Sequence, residues 1–361
     1  MWALRCIIFL ASLYILINYI VPLIEREIAS RCFTWILSVV LAYAVSSRFS
    51  TGGRIDTVRG KAVLVTGCDT GIGNALARHL DRLGFRVFAG CLFADRGEAS
   101  KLDEESSDRL KVVQLDVTSD QQVADAVASI GETLSSTGDV LWGVVNNAGT
   151  ACFGFMEWVP LKRYKQLAEV NLWGMIRVTK AALPLIRKSK GRVVNMSSML
   201  GRYSPPSSSA YSITKYGVQA LTDCLRGELY TFGINAVIIE PGNFSGSSAM
   251  FTKQFMLNDQ DKLWSETPEY VKEAYGEEFF TGAKTSIVSF SQGSSTSSLD
   301  PVMDACEHAL TDKNPRARYF PGNLISKLSV WYNCYLPSSV SDLAYQMYFI
   351  YLGRTIKGKQ C

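Results

Sequence analysis

With 361 residues, 47% of them hydrophobic, the chain is long enough for one large domain with a deep core and further segments besides. Its formal charge of +4, without a long run of Lys or Arg, argues against nucleic acid as a partner. Nine cysteines, an odd number with no CxxC spacing, point to a reduced intracellular protein. The 2 histidines, His79 and His308, nearly exclude a His-based zinc site or a Ser-His-Asp triad, so no metal is expected.

The chain begins with apolar runs. "CIIFLASLYILINYIVPLI" (6–24) would make roughly 28 Å of helix against a bilayer core of ~30 Å. "CFTWILSVVLAYAVSS" (32–47) would reach roughly 24 Å, so it spans only with local thinning or lies re-entrant. A cleaved signal peptide is the competing reading of the first run. Its length counts against that, as do Glu25, Arg26 and Glu27, which follow without a small-residue cleavage site. Arg48, Arg54, Arg59 and Lys61 would hold the main domain on the cytoplasmic side. Residues 1–50 are therefore expected to be a membrane anchor of one or two helices, which makes membrane lipid a partner. The endoplasmic reticulum is the favoured membrane and a mitochondrial one the alternative, since early acidic residues do not suit an Arg-rich presequence.

From Lys61 onward short apolar runs alternate with helical segments. "KAVLVTG", "FRVFAGCL", "LKVVQLDV", "LWGVVNNAG", "GRVVNMSS" and "INAVIIEPG" read as buried strands. Helices are expected after the first of them and near 121–136, 161–188 and 211–232. This alternation predicts an α/β fold, a doubly wound parallel sheet of Rossmann type, over 58–325. The Ser-, Gly- and Thr-rich stretch 243–300, with a helical piece around "TPEYVKEAYGEEFF", reads as a substrate lid off the sheet. The aromatic segment 326–361 either completes the core or lies on a membrane.

"TGCDTGIG" (66–73) joins the first strand to the first helix. Gly67 permits the tight turn, Gly71 lets the backbone approach a pyrophosphate, and Gly73 lets helix pack on strand, with the helix N-terminus facing the phosphates. At the end of the second strand Cys91 and Leu92 are expected to face the adenosine ribose. No Lys or Arg stands there for a 2′-phosphate and Asp69 adds a repelling charge, so NAD is expected over NADP, with Arg96 the nearest cation. "NNAG" (146–149) would line the same crevice. Tyr211 and Lys215, four apart, share one face of any helix, and by themselves that spacing carries no chemistry.

Taken together these motifs make the chain resemble the short-chain dehydrogenase/reductase family over about 58–325. The likeness rests on TGxxxGIG, the Asp116-Val117 pair, NNAG, an Asn in the next helix, Ser thirteen before Tyr, and YxxxK. It implies hydride transfer between an alcohol and a carbonyl, with a small-molecule alcohol or ketone as substrate, and a homo-oligomer. Within the family "VLVTGCD", "YKQLAEVNLWG", "GRVVNMSSMLGR" and "EPGNF" are similar to the D-β-hydroxybutyrate dehydrogenase branch. The N-terminal apolar runs are similar instead to the membrane-anchored hydroxysteroid dehydrogenases, which leaves a steroid or retinol as the alternative substrate. A dinucleotide-binding membrane protein without turnover is a minor alternative.

The resemblance implies a tetrad of Asn171, Ser198, Tyr211 and Lys215, with Tyr211 the general base. It also implies that Ile72, Asp116, Val117, Asn147, Ala148, Gly149, Lys215, Pro241 and Gly242 join Gly67, Asp69, Gly71, Gly73 and Cys91 in holding the dinucleotide. An ammonium ~4–5 Å away at an effective dielectric near 20 favours phenolate by about 3 to 4 kcal/mol, before desolvation subtracts some. Two departures stand out. Gly246 occupies the position where the family often has a Thr that touches the nicotinamide amide, and Ser245 or Ser247 could replace that contact. Ser208 stands where a hydroxybutyrate dehydrogenase is expected to have a basic carboxylate anchor, which leaves Arg202 as the nearby cation.

Overall fold

Five of the six residues of β1 (Lys61–Thr66) are buried, as expected of a strand covered on both faces. The computed structural model describes residues 14, 33–42, 53–245, 252–293, 296 and 298–357. The chain divides into two compact units, Met1–Gly53 and Arg54–Cys361.

In the second unit β1 is followed by α1 (Gly71–Leu83), β2 (Arg86–Cys91), α2 (Glu98–Glu104), β3 (Leu110–Gln114), α3 (Asp120–Thr137) and β4 (Val140–Asn146). Then come α4 (Leu161–Ala168), a π-helical turn Glu169–Gly174, α5 (Met175–Ser189), β5 (Arg192–Met196), α6 (Ser209–Glu228) and β6 (Asn235–Ile239). Three helices, α7 (Lys253–Glu266), α8 (Glu269–Tyr275) and α9 (Glu277–Gly293), precede α10 (Asp300–Thr311), β7 (Arg318–Tyr319), α11 (Leu324–Tyr335) and α12 (Ser338–Lys357).

The strands form one seven-stranded sheet in the order β3-β2-β1-β4-β5-β6-β7, and every pairing is parallel. Side chains alternate across it. Val63 and Val65 pack with Leu76, Leu80 and Leu310 on one face, while Ala62 and Leu64 pack with Ile130, Ile186 and Val193 on the other. Each such Leu or Ile contributes roughly 1.5–3 kcal/mol by leaving water. The chain winds outward from β1 to β3, then returns to β4 on the opposite side. That reversal opens a crevice beyond the carboxyl ends of β1 and β4.

The six expected strands are present, and the two-residue β7 is additional. In the stretch 243–300 the helical piece expected around "TPEYVKEAYGEEFF" is present as α8 and the start of α9, and α7 is additional. Here α7 and α9 are held by an aromatic cluster in which Trp264 stacks on Phe280 at 4.5 Å between centroids and Trp158 meets both edge-on. Among the described residues Cys68, Cys91, Cys152 and Cys306 are buried free thiols.

In the first unit, residues 33–42 are helical and exposed. Among the described residues no helix is long and apolar enough to cross a membrane. The expected anchor 6–24 lies outside the described residues apart from Tyr14, as do the ends of the run 32–47.

Candidate active site

A cleft of about 1070 Å³ lies over the carboxyl ends of the central strands. Its floor is the turn between β1 and α1. Gly67 sits at φ 71°, and a Cβ there would stand 2.7 Å from the Cα of Ala148. A Cβ on Gly73 would lie 2.1 Å from the carbonyl oxygen of Gly67 and 2.5 Å from Asn147, so only glycine fits. Asn147 locks this turn to β4 by donating its amide to the carbonyls of Thr66 (2.9 Å) and Gly67 (3.1 Å). The Thr66 hydroxyl in turn accepts from the backbone of Asn147 and Ala148, each at 3.0 Å. Helix α1 begins there with no acidic residue in its first turn and no side-chain cap, which leaves its amide dipoles available to an anion. Gly71 and Ile72 complete this side of the cleft. Such a cradle fits the pyrophosphate of a dinucleotide.

The adenosine end differs from the expectation. Cys91 is fully buried in the core, where burial raises its thiol pKa to about 12. It does not line the cleft; Leu92 and Phe93 do, beside Asp116 and Val117. The Asp69 carboxylate accepts from the backbone N–H groups of Leu92 (3.0 Å) and Phe93 (2.8 Å), fixing its charge at the cleft wall. Arg96 lies outside the cleft lining, with its guanidinium over the Phe93 ring at 4.6 Å and paired to Asp95.

Asn171, Ser198, Tyr211 and Lys215 converge where α6 crosses the ends of β4 and β5. Asn171 is wholly buried in the π-helical turn, where the widened helix leaves its side chain free to reach across. It accepts from the Thr150 N–H (2.8 Å) and donates to the Thr150 carbonyl (2.8 Å) and the Thr214 hydroxyl (3.0 Å). Ser198 and Tyr211 both line the cleft, and the Ser198 side chain is close enough to draw the phenol's pKa down. Lys215, one turn on, places Nζ 5.5 Å from the Tyr211 ring centre and donates to the Met196 carbonyl at 2.9 Å. Gly149 completes the group, since a Cβ on it would lie 3.4 Å from Asn171 and 3.7 Å from the Lys215 ammonium.

The electrostatics correct one expectation. Burial pushes Tyr211 up to about 12, with Ser198 pulling the other way, and pushes Lys215 down to about 8. Desolvation therefore outweighs the attraction that was expected to bring the phenol down.

The two expected substrate residues separate. Ser208 borders the cleft, but its hydroxyl donates to the Pro205 carbonyl (2.6 Å) and pairs with Ser212 at 3.0 Å. Arg202 is outside the cleft lining. Its guanidinium is held by the buried Glu240 at 3.2 Å, so it is not a free cation for a substrate carboxylate. Gly246 and Ser247 lie outside the described residues, whereas Pro241, Gly242 and Ser245 line the cleft. Sequence reasoning missed the cleft's far end, which is lined by Met256 of α7 and Ile287 and Phe290 of α9 together with Tyr345, Tyr348 and Phe349 of α12. The repeated aromatic residues of the last segment were the available signal.

The family model described as short chain dehydrogenase matches residues 61–256. The chain belongs to the short-chain dehydrogenase family. It is 41% identical over 306 residues to the mitochondrial D-β-hydroxybutyrate dehydrogenase of Rattus norvegicus, covering 84% of this chain and 89% of that one. It is 42% identical to 17β-hydroxysteroid dehydrogenase type 6 of Bos taurus (80% and 88% covered). The same identity holds to retinol dehydrogenase 7 of Mus musculus (74% and 82%). The crystal structure of a short-chain dehydrogenase from Streptomyces avermitilis superposes with a TM-score of 0.57 at 27% identity, covering 83% of this chain and 96% of that one. The chain is thus an oxidoreductase of the dehydrogenase type.

Proposed function

We propose that this short-chain dehydrogenase is an NAD-dependent enzyme of D-β-hydroxybutyrate dehydrogenase type, interconverting a secondary alcohol and its ketone through Asn171, Ser198, Tyr211 and Lys215. The observation that carries the proposal is the convergence of Ser198, Tyr211 and Lys215 on one cleft, with the Lys215 ammonium 5.5 Å from the Tyr211 ring centre. NAD would be held by the glycine turn, Asn147 and Lys215, and supplies the hydride acceptor. In oxidation Tyr211 takes the alcohol proton and Ser198 donates to the substrate oxygen as its charge changes. In reduction the raised phenol is already protonated at neutral pH and serves as the acid. Asn171 fixes the Thr150 backbone and α6, which keeps the group aligned.

Among the described residues no cation lines the cleft beside Leu92 and Phe93, where Asp69 places a negative charge. Arg96 lies outside the lining, paired to Asp95, and this arrangement supports NAD over NADP. Kinship with three D-β-hydroxybutyrate dehydrogenases, at 40–44% identity, supports a short hydroxy acid as substrate. The cleft supports a second reading, a lipophilic alcohol of steroid or retinoid type. Lys215 is the sole cation among its described lining residues, and its far end is Phe153, Phe155, Met256, Ile287, Phe290 and Phe349.

One assay separates the readings: NADH formation by the full-length, lipid-reconstituted enzyme with D-3-hydroxybutyrate, estradiol, a corticosteroid and retinol side by side. Turnover of hydroxybutyrate alone supports the first reading, and turnover of the apolar alcohols alone supports the second. Failure with all four would overturn both. In the same assay NAD is expected to exceed NADP by about tenfold or more in kcat/KM, and Leu92→Arg to narrow that gap through a charge-assisted contact to the 2′-phosphate. Equal use of NADP by the unaltered enzyme would remove the NAD assignment.

Association with an intracellular membrane also belongs to this proposal. Residues 33–42 expose Phe33, Trp35 and Ile36, and α11 and α12 expose Leu324, Trp331, Leu343 and Met347. The full-length protein is expected to stay in the membrane pellet after carbonate extraction. Release into the supernatant would refute the anchor. The homo-oligomer implied by the family is testable by sedimentation in detergent, where a monomer would refute it.

A further inference from the structure

Glu240 follows β6 immediately before the Pro241-Gly242 turn of the cleft, and only 1% of it is exposed. A carboxylate so deep in a protein needs partners, and this one has three. The Gln219 amide donates to it at 2.5 Å, the Arg202 guanidinium lies at 3.2 Å and that of Arg318 at 3.4 Å. Arg318 also bonds the Gln219 carbonyl oxygen and grips Asp223 of α6 with two contacts of 2.6 Å.

Each partner leads back to the reacting groups. Gln219 lies four residues past Lys215 on α6, on the same face. Its amide also reaches the Ser197 hydroxyl at 3.4 Å, and that hydroxyl donates to the Lys215 carbonyl at 3.1 Å. Ser197 is the neighbour of Ser198, and Arg202 closes the short 3₁₀ turn Met199–Gly201 that Ser198 begins. Inside that turn a Cβ on Gly201 would stand 2.6 Å from the Ser197 hydroxyl and 2.8 Å from the Lys215 carbonyl, so turn and helix already touch. One buried carboxylate thus contacts Arg202 at the end of the Ser198 turn, Gln219 on the Tyr211–Lys215 helix and Arg318 of β7.

We propose that Glu240 is a positioning residue for hydride transfer, whose negative charge clamps the Ser198 turn against the Tyr211–Lys215 helix. Glu240→Gln keeps the shape but leaves Arg202 without its carboxylate and Arg318 with Asp223 alone. The turn then drifts, and Ser198 loses its alignment on Tyr211. The dinucleotide cradle of β1 and α1 is not part of this network.

The proposal rests on the dehydrogenase reading, and its test includes a measurement that does not depend on turnover. With the full-length reconstituted enzyme and the best alcohol of the panel, Glu240→Gln is expected to lower kcat by about tenfold or more, while KM for NAD changes less than about threefold. The primary deuterium isotope effect on kcat should grow as hydride transfer becomes limiting, and Glu240→Asp should restore part of the rate. Hydrogen exchange should quicken in 197–203 and 211–219 and stay unchanged in 61–83. A kcat within about twofold of the parent and an unaltered isotope effect would overturn the proposal. So would equal loss of protection throughout the domain, which would mark Glu240 as a general stabiliser. If the parent enzyme turns over no alcohol of the panel, the functional reading fails, and the exchange pattern alone decides for or against the clamp.

Discussion

Tyr211→Phe is expected to lower turnover by ~10²–10⁴ while leaving NAD affinity within a few-fold, because it removes one oxygen and keeps the ring. The proposed mechanism puts proton transfer at this phenol, beside Ser198 and one turn from Lys215, and among the described residues no histidine lines the cleft. The ring meanwhile packs against Phe153 at 5.7 Å, so the fold has no reason to respond. Oxidation by the parent enzyme should accelerate as pH rises, because burial holds Tyr211 near 12 and phenolate is scarce at neutral pH. That acceleration should vanish in the variant. Stopped-flow or steady-state NADH formation across pH 6–10 reads both effects. Retention of turnover within about tenfold would sink the assigned mechanism.

The second large effect runs in opposite directions for activity and stability. Lys215→Met is expected to abolish turnover and yet stabilise the protein without bound NAD. Burial lowers Lys215 from its usual 10.5 to about 8, so holding it charged at pH 7 costs the folded state about 3 kcal/mol. Between pH 8 and 10.5 the unfolded chain binds the proton that the folded chain has released, so stability rises with pH across that window. The penalty is complete below about 8. Methionine keeps most of the stem and removes the charge at the loss of one hydrogen bond to Met196, worth about 1 kcal/mol. A gain of about 2 kcal/mol in denaturant unfolding of the full-length protein in detergent is therefore expected at pH 7, shrinking towards pH 10. A destabilised variant would show that the ammonium is better solvated than its burial indicates. The result would place Lys215 among groups retained for function at a cost in stability.

Arg202 illustrates why a cation near a site is not yet a ligand. By chain position it lies four residues past Ser198 and looked available to a substrate carboxylate. In the folded protein it is turned to Glu240, a residue thirty-eight positions away that no local pattern connects to it. Cys91 illustrates the same limit at a strand end. Its neighbour Leu92 reaches the cleft while its own side chain packs inward, because successive side chains leave a strand in opposite directions.

What the amino-acid order determined alone is everything set by local period and backbone sterics. Six apolar runs punctuated by turn glycines specified the parallel strands. The glycines at 67 and 73 announced a backbone approach that no Cβ allows, and the four-residue spacing put Tyr211 and Lys215 on one helical face, while the role proposed for them came from the family resemblance. The tertiary structure decided the rest, because it depends on contacts between residues distant in sequence. Those contacts brought α12 to the far end of the cleft and made that end apolar. They also buried the tyrosine and lysine deeply enough that desolvation, rather than their mutual attraction, governs both pKa values.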